Sequence, residues 1–142
     1  MKQRLFLFCA FGCIGITTEI FFTAIVDLID MIQAANINLK LQGKSYIWMF
    51  PIYGLAGILF PVIMPYFEKF PAIIRAAIYA TGILIVEFIA GSLLDVFTGS
   101  CPWEYQTGWH IMGYVRLDYF PLWAGFGYMV ETIVNFLSRF EV

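Results

Sequence analysis

Residues 83–97 read Ile-Leu-Ile-Val-Glu87-Phe-Ile-Ala-Gly91-Ser-Leu-Leu-Asp95-Val-Phe. A carboxylate in the middle of a run otherwise made for lipid costs roughly 2.5–3.5 kcal/mol on insertion scales, so the fold must supply something that satisfies it. Lipid also restricts the backbone. Every N–H and C=O in hydrocarbon needs a partner within its own segment, which leaves helices and excludes open strands. Glu87 is therefore the residue that the rest of the chain has to explain.

The surrounding composition makes lipid the expected solvent. The chain has 142 residues, 61% hydrophobic and 13% charged, with a mean hydropathy of +0.82, whereas soluble domains are about 45–50% apolar. The lipid bilayer is the first expected partner. A net charge of −2 without a basic cluster argues against nucleic acid. Four segments are apolar enough to cross roughly 30 Å of hydrocarbon, at about 5–32, 46–67, 73–97 and 119–137. The fold class expected is all-α integral membrane, a single four-span domain over 1–142 packed as a four-helix bundle. The start, Met1-Lys2-Gln3-Arg4 and an apolar stretch, resembles a signal sequence but lacks a small-residue cleavage site before Glu19, so an uncleaved first span is expected. Cys9 and Cys13, one turn apart, and Cys101, alone in a loop, give no disulfide framework.

Four spans put both termini on one side. That side collects Lys2, Arg4, Lys69, Arg75 and Arg139 against Lys40, Lys44 and Arg116, five to three, which places the termini in the cytoplasm. An internal match supports two parallel helical-hairpin repeats. Gly43-Lys-Ser-Tyr-Ile-Trp-Met-Phe50-Pro51-Ile52-Tyr53 aligns without a gap on Gly113-Tyr-Val-Arg-Leu-Asp-Tyr-Phe120-Pro121-Leu122-Trp123, at an offset of 70. Glu19 and Asp27 are eight residues apart, as are Glu87 and Asp95.

The spacing of these acids carries the chemistry. Glu19, Thr23 and Asp27 share one helix face, as do Glu87, Gly91 and Asp95. Each Glu lies about 12 Å from its Asp, so they read as rungs for protons or cations and not as pairs. Glu131 joins the candidate acids, and Tyr53 and the two Arg residues 75 and 116 are candidate partners, although Arg75 equally suits a headgroup contact. The connection Cys101-Pro102-Trp103-Glu104-Tyr105 to His110, Arg116 and Asp118 is rich in aromatics. It fits either an interfacial belt or a lid that brings Glu104 and His110 above Asp27 and Asp95. A metal there is left open, because the spacing matches no zinc motif. No cofactor motif and no P-loop is present, which excludes an ATPase in this chain. Three functions remain: transport using Glu19 and Glu87, a lipid-acting enzyme using Glu104, His110 and Asp118, and a scaffold whose acids are structural.

The segments Gly15-Ile-Thr-Thr-Glu19-Ile-Phe-Phe-Thr23-Ala24, Trp48-Met-Phe-Pro-Ile-Tyr53-Gly54, Arg75-Ala-Ala-Ile-Tyr79, Glu87-Phe-Ile-Ala-Gly91 and Cys101-Pro-Trp-Glu-Tyr105 resemble the transmembrane protein 229 family and the bacterial proteins labelled ABC-transporter type IV permeases. The resemblance runs over residues 12–132. It implies a four-span membrane protein with a permease label, carried by Glu19, Tyr53, Gly54, Glu87, Gly91, Cys101, Pro102, Trp103, Glu104 and Tyr105, and it assigns none of them a catalytic role. The chain has too few helices for a full ABC permease. The partners this leaves are a second copy of the chain, as a homodimer, and an unidentified membrane or ATPase subunit.

Overall fold

The computed structural model describes residues 2–33 and 40–140. The chain is mostly helical: α1 spans Lys2–Gln33, α2 Met49–Phe67, α3 Ala72–Thr98 and α4 Phe120–Leu137. The first three are long and apolar enough to cross a membrane. The fourth is 18 residues long and is not among those three, so the expectation of four spans is met by three helices and a short fourth. Of the expected link over 33–45, residues 34–39 lie outside the described residues.

The element boundaries shift for local reasons. The second helix starts at Met49 instead of 46, because the turn before it closes with Met49 N–H donating to Tyr46 O at 2.9 Å. The chain is also not purely helical. Strands β1, His110–Ile111, and β2, Val115–Arg116, pair antiparallel between α3 and α4. Met112 and Gly113 both take positive φ, 53° and 78°, and Tyr114 N–H donates to Ile111 O at 3.0 Å. That combination is the mirror-image type I′ turn whose twist suits a hairpin. A short 3₁₀ turn, Leu117–Tyr119, leads from it into α4.

The chain divides into two compact units, one ending at Leu59 and the other covering Phe60–Phe140. In the first, glycines and aromatic rings interlock. A Cβ on Gly12 would meet the Phe50 ring at 2.7 Å, one on Gly54 would meet the Phe8 ring at 2.6 Å, and one on Gly15 would collide with Tyr53. Phe8 and Phe50 also meet edge to face, 5.8 Å between centroids. Leu7 and Phe11 are buried and lie against Gly57. Without a hydrophobic drive between helices in lipid, this close fit supplies the dispersion energy that holds them.

In the second unit α3 packs on α4 by the same means. Tyr79, Ala80, Val130 and Val134 form its core, and the Tyr79 ring stacks tilted on Phe60 at 4.9 Å. Gly127 permits the approach, since a Cβ there would lie 2.5 Å from Tyr79 Cβ. Gly125, two residues earlier, has nothing within 4 Å. The α3 helix stops at Gly99, whose φ of 78° ends it with the N–H donating to Asp95 O at 2.8 Å. We expect Gly127→Ala to lower stability by about 1–3 kcal/mol through overpacking. Gly125→Ala should stay within about 0.5 kcal/mol of the parent. Reversible unfolding in mixed micelles compares the two.

Candidate functional site

In the first unit the segment before α2 lies along α1. Glu19 Oε2 accepts from Tyr53 Oη at 3.1 Å and from Ser45 Oγ at 3.1 Å. One turn on, Thr23 Oγ1 accepts from Lys44 N–H at 2.8 Å and donates to the Lys44 carbonyl at 3.0 Å. The Glu19, Thr23 stripe is thus the docking edge of that segment. The Asp27 side chain, half-buried, makes no hydrogen bond among the described residues.

In the second unit the connection after α3 folds back over the Glu87, Gly91, Asp95 stripe. Tyr105 Oη donates to Glu87 Oε1 at 2.7 Å and Tyr114 Oη donates to Asp95 Oδ2 at 2.7 Å. Between these bonds, Gly91 lies under Tyr114, Cys101 and Trp103; an added Cβ would sit 3.1 Å from Tyr114 Cβ and 3.2 Å from Cys101 Sγ. Glu87 Oε2 is buried without a hydrogen-bond partner among the described residues, and so is the neighbouring Trp123 indole N–H. The connection is braced internally. Tyr105 N–H donates to Gly113 O at 2.8 Å and Trp103 Nε1 to Tyr114 O at 3.0 Å.

Electrostatics sort the acids into two kinds. Glu131, 8% exposed, receives both Arg75 Nε at 3.0 Å and Nη2 at 2.8 Å, a bidentate pair, while Arg75 Nη1 donates to Phe70 O at 2.9 Å. Asp118 is paired with Arg116, which lies over the Tyr119 ring at 4.1 Å and reaches the Tyr105 ring at 5.9 Å. The guanidinium holds the Asp118 carboxyl below the ordinary range, chiefly through its hydrogen bond. By contrast Glu19, Glu87 and Asp95 are held by neutral hydroxyls. Burial, then the bond to Glu87, push the Tyr105 phenol up, and the bond to Asp95 raises Tyr114, so both remain donors. Burial pushes the Cys101 thiol up.

The structure brings together Glu19 with Tyr53, and Glu87 with Tyr105. It does not place Glu131 with Glu87: Arg75, the partner of Glu131, lies 12 residues or about 18 Å from Glu87 along α3. Nor does it give Arg75 a headgroup role only, because Glu131 claims it. The connection lies on α3, where Tyr105 and Tyr114, and not Glu104 and His110, meet the acids Glu87 and Asp95. Glu104 and His110 are exposed. His110 Nδ1 accepts from Gly113 N–H at 3.3 Å, and no acid bonds it among the described residues. Asp118 accepts from Trp109 N–H at 3.2 Å. Among the described residues no group of three His, Cys, Asp or Glu could hold a metal. Pro102 opens the turn before Trp103.

Sequence reasoning missed Ser45 and Tyr114 as partners of the acids, and Trp123 as a neighbour of Glu87. The offset of 70 did hold a signal for the last, since it aligns Trp123 with Tyr53. For the Arg75–Glu131 pair, removing one member strands the other charge, so Arg75→Leu and Glu131→Leu alone should each lower the melting temperature more than the double variant does. Thermal melts of the three proteins in one detergent decide it.

No family model, no curated protein and no solved structure matches this chain.

Proposed function

We propose that this protein is a small integral membrane transporter of permease type, in which Glu19 and Glu87 bind a proton or a cationic substrate within the bilayer. One observation carries the reading. Inside helices fit to cross a membrane, these two acids are held by hydroxyl donors and not by bases, whereas Glu131 and Asp118 are paired with arginine. An acid neutralised by a guanidinium has no further electrostatic demand. One held by a phenol keeps it, and a proton or cation meets it at least cost in lipid.

The reading extends the resemblance to the transmembrane protein 229 and type IV permease groups. It takes α4 as the fourth span, about 27 Å long at 1.5 Å per residue, with the Arg75–Glu131 pair offsetting the charge it carries. The termini then face the cytoplasm, and a homodimer is the working assembly. The reading also takes the chain as two hairpin repeats, parallel in topology with two crossings each. Support comes from within each unit: Gly57 lies against Phe11, and Gly127 against Tyr79, at positions related by offsets of 70 and 68.

A second reading, a scaffold or accessory subunit, is favoured by the close packing on Gly91, which suits acids that fix register. Reconstitution separates the two. In vesicles loaded with a pH-sensitive dye and driven by a potassium diffusion potential, the parent should carry protons and Glu87→Gln should fall to the rate of protein-free vesicles, with Glu19→Gln also reduced. Parent-like proton flux in both folded variants would sink the transport reading and leave the scaffold.

A further inference from the structure

The connection between α3 and α4 is fastened to α3 at two points by the same chemistry. Tyr105 reaches Glu87 and Tyr114 reaches Asp95, each at 2.7 Å, and the two acids stand about 12 Å apart on one face. Between them the connection presses on Gly91 and covers Cys101, which is 8% exposed. It begins at a left-handed glycine, Gly99, and holds its own shape through the bonds from Tyr105 to Gly113, from Trp103 to Tyr114 and from Leu117 N–H to Trp109 O at 2.7 Å. A segment with internal bonds, a glycine at its root and two outward latches can move as one piece.

We propose that residues 99–119 form a proton-operated lid over the Glu87 and Asp95 face of α3, latched while both carboxylates are ionised and released when they take up protons. A phenol donating to a carboxylate makes a charge-assisted bond, roughly twice as strong as the neutral bond left once a proton from solution has bound the acid. Acid therefore weakens each latch. On the alkaline side the latches persist, because burial and the neighbouring acids keep both phenols protonated above their ordinary range.

The other groups nearby do not reverse this. Glu87 is faced by the Tyr105 phenol, the Trp123 indole and the Cys101 thiol; Arg116 reaches the Tyr105 and Tyr119 rings, and its charge is taken by Asp118. Asp95 and Tyr114 have Cys101 and Glu104 as their ionisable neighbours. His110 accepts from Gly113 inside the lid, so its protonation loosens the turn and not a latch. The inference builds on the reading of Glu87 as a ligand-binding acid, for it gives that acid a gate, but the gate is measured without any flux.

Cys101 serves as the reporter. With the exposed Cys9 and Cys13 changed to serine, the full chain in phosphatidylcholine vesicles is treated with a charged methanethiosulfonate reagent at pH 7.5. Because burial, then Asp95 and Glu87 themselves, raise the Cys101 thiol, each rate is corrected for the thiolate fraction read from that variant's own pH–rate profile. The Glu87→Gln/Asp95→Asn variant, a mimic of the doubly protonated face, and Tyr105→Phe/Tyr114→Phe should each label at least about tenfold faster than the parent, the change expected from losing two bonds to charged groups. Labelling of both at the parent rate overturns the lid. If a double variant does not fold, hydrogen exchange on the parent decides instead: after correction for intrinsic rates, the Tyr105 and Leu117 amides should lose protection at pH 3 relative to pH 7.5, and equal protection overturns the proposal. A lid that opens as described together with unchanged flux in Glu87→Gln would retain the gate and remove the transport reading.

Discussion

The structure depends on how an acid is satisfied where water is scarce. A carboxylate buried without hydrogen bonds is far more costly than one that accepts them, and the chain meets this demand with two kinds of donor. Near the start of α3, Arg75 covers both oxygens of Glu131 with a planar fork. Further along the same helix, Tyr105 and Tyr114 supply a single hydroxyl each to Glu87 and Asp95. The first solution cancels charge, and the second leaves it in place. That difference, and not the number of acids, separates the structural part of the second unit from the part with chemistry to offer.

Packing follows a complementary rule. Lipid tails are as apolar as leucine, so burying leucine between helices gains little, and fit must come from surfaces that approach closely. In the first unit Gly12 and Gly15 receive Phe50 and Tyr53, while Gly54 receives Phe8. The ring of Tyr53 that fills the space beside Gly15 also carries the hydroxyl that reaches Glu19. Packing and polar satisfaction are therefore one interaction there: a bulkier residue at Gly15 would displace the ring and leave the acid with Ser45 alone of its two donors.

Much of this was legible in the sequence, and the limits have physical causes. The helices were readable because lipid permits few alternatives to a long apolar run. The polar stripes were readable because helical spacing is local, so Glu87, Gly91 and Asp95 fall on one face whatever the tertiary fold. Which donor meets which acid was not. Tyr105 stands 18 residues from Glu87, and Tyr114 stands 19 from Asp95, and their reach depends on a hairpin of two-residue strands turned by Met112, a residue type with no preference for positive φ. Trp103, Tyr105 and Tyr114 also suit an interfacial belt by composition alone. Arg75 sits in the first turns of α3, where a headgroup or a partner 56 residues away satisfies it equally well.

The proposed repeat makes the two hairpins informative about each other. In each, the segment entering the second helix lies across an acid of the first: Ser45 and Tyr53 serve Glu19, and Tyr105 serves Glu87 while Trp123 stands where Tyr53 would. The first hairpin satisfies its acid from α2 and the residues just before it, whereas the second delegates the task to a loop. At the other end the halves differ as well, for the offsets of 68 and 70 place Leu7 and Pro61 opposite Arg75 and Glu131. The second hairpin is thus cross-linked by charge at one end and closed by hydroxyls at the other, while the first has hydroxyls on Glu19 at one end and glycine and aromatic contact at the other. A pair built this way has a natural division of labour. The ion pair secures α3 against α4, so that release of Tyr105 and Tyr114 can uncover Glu87 without parting the helices that hold it.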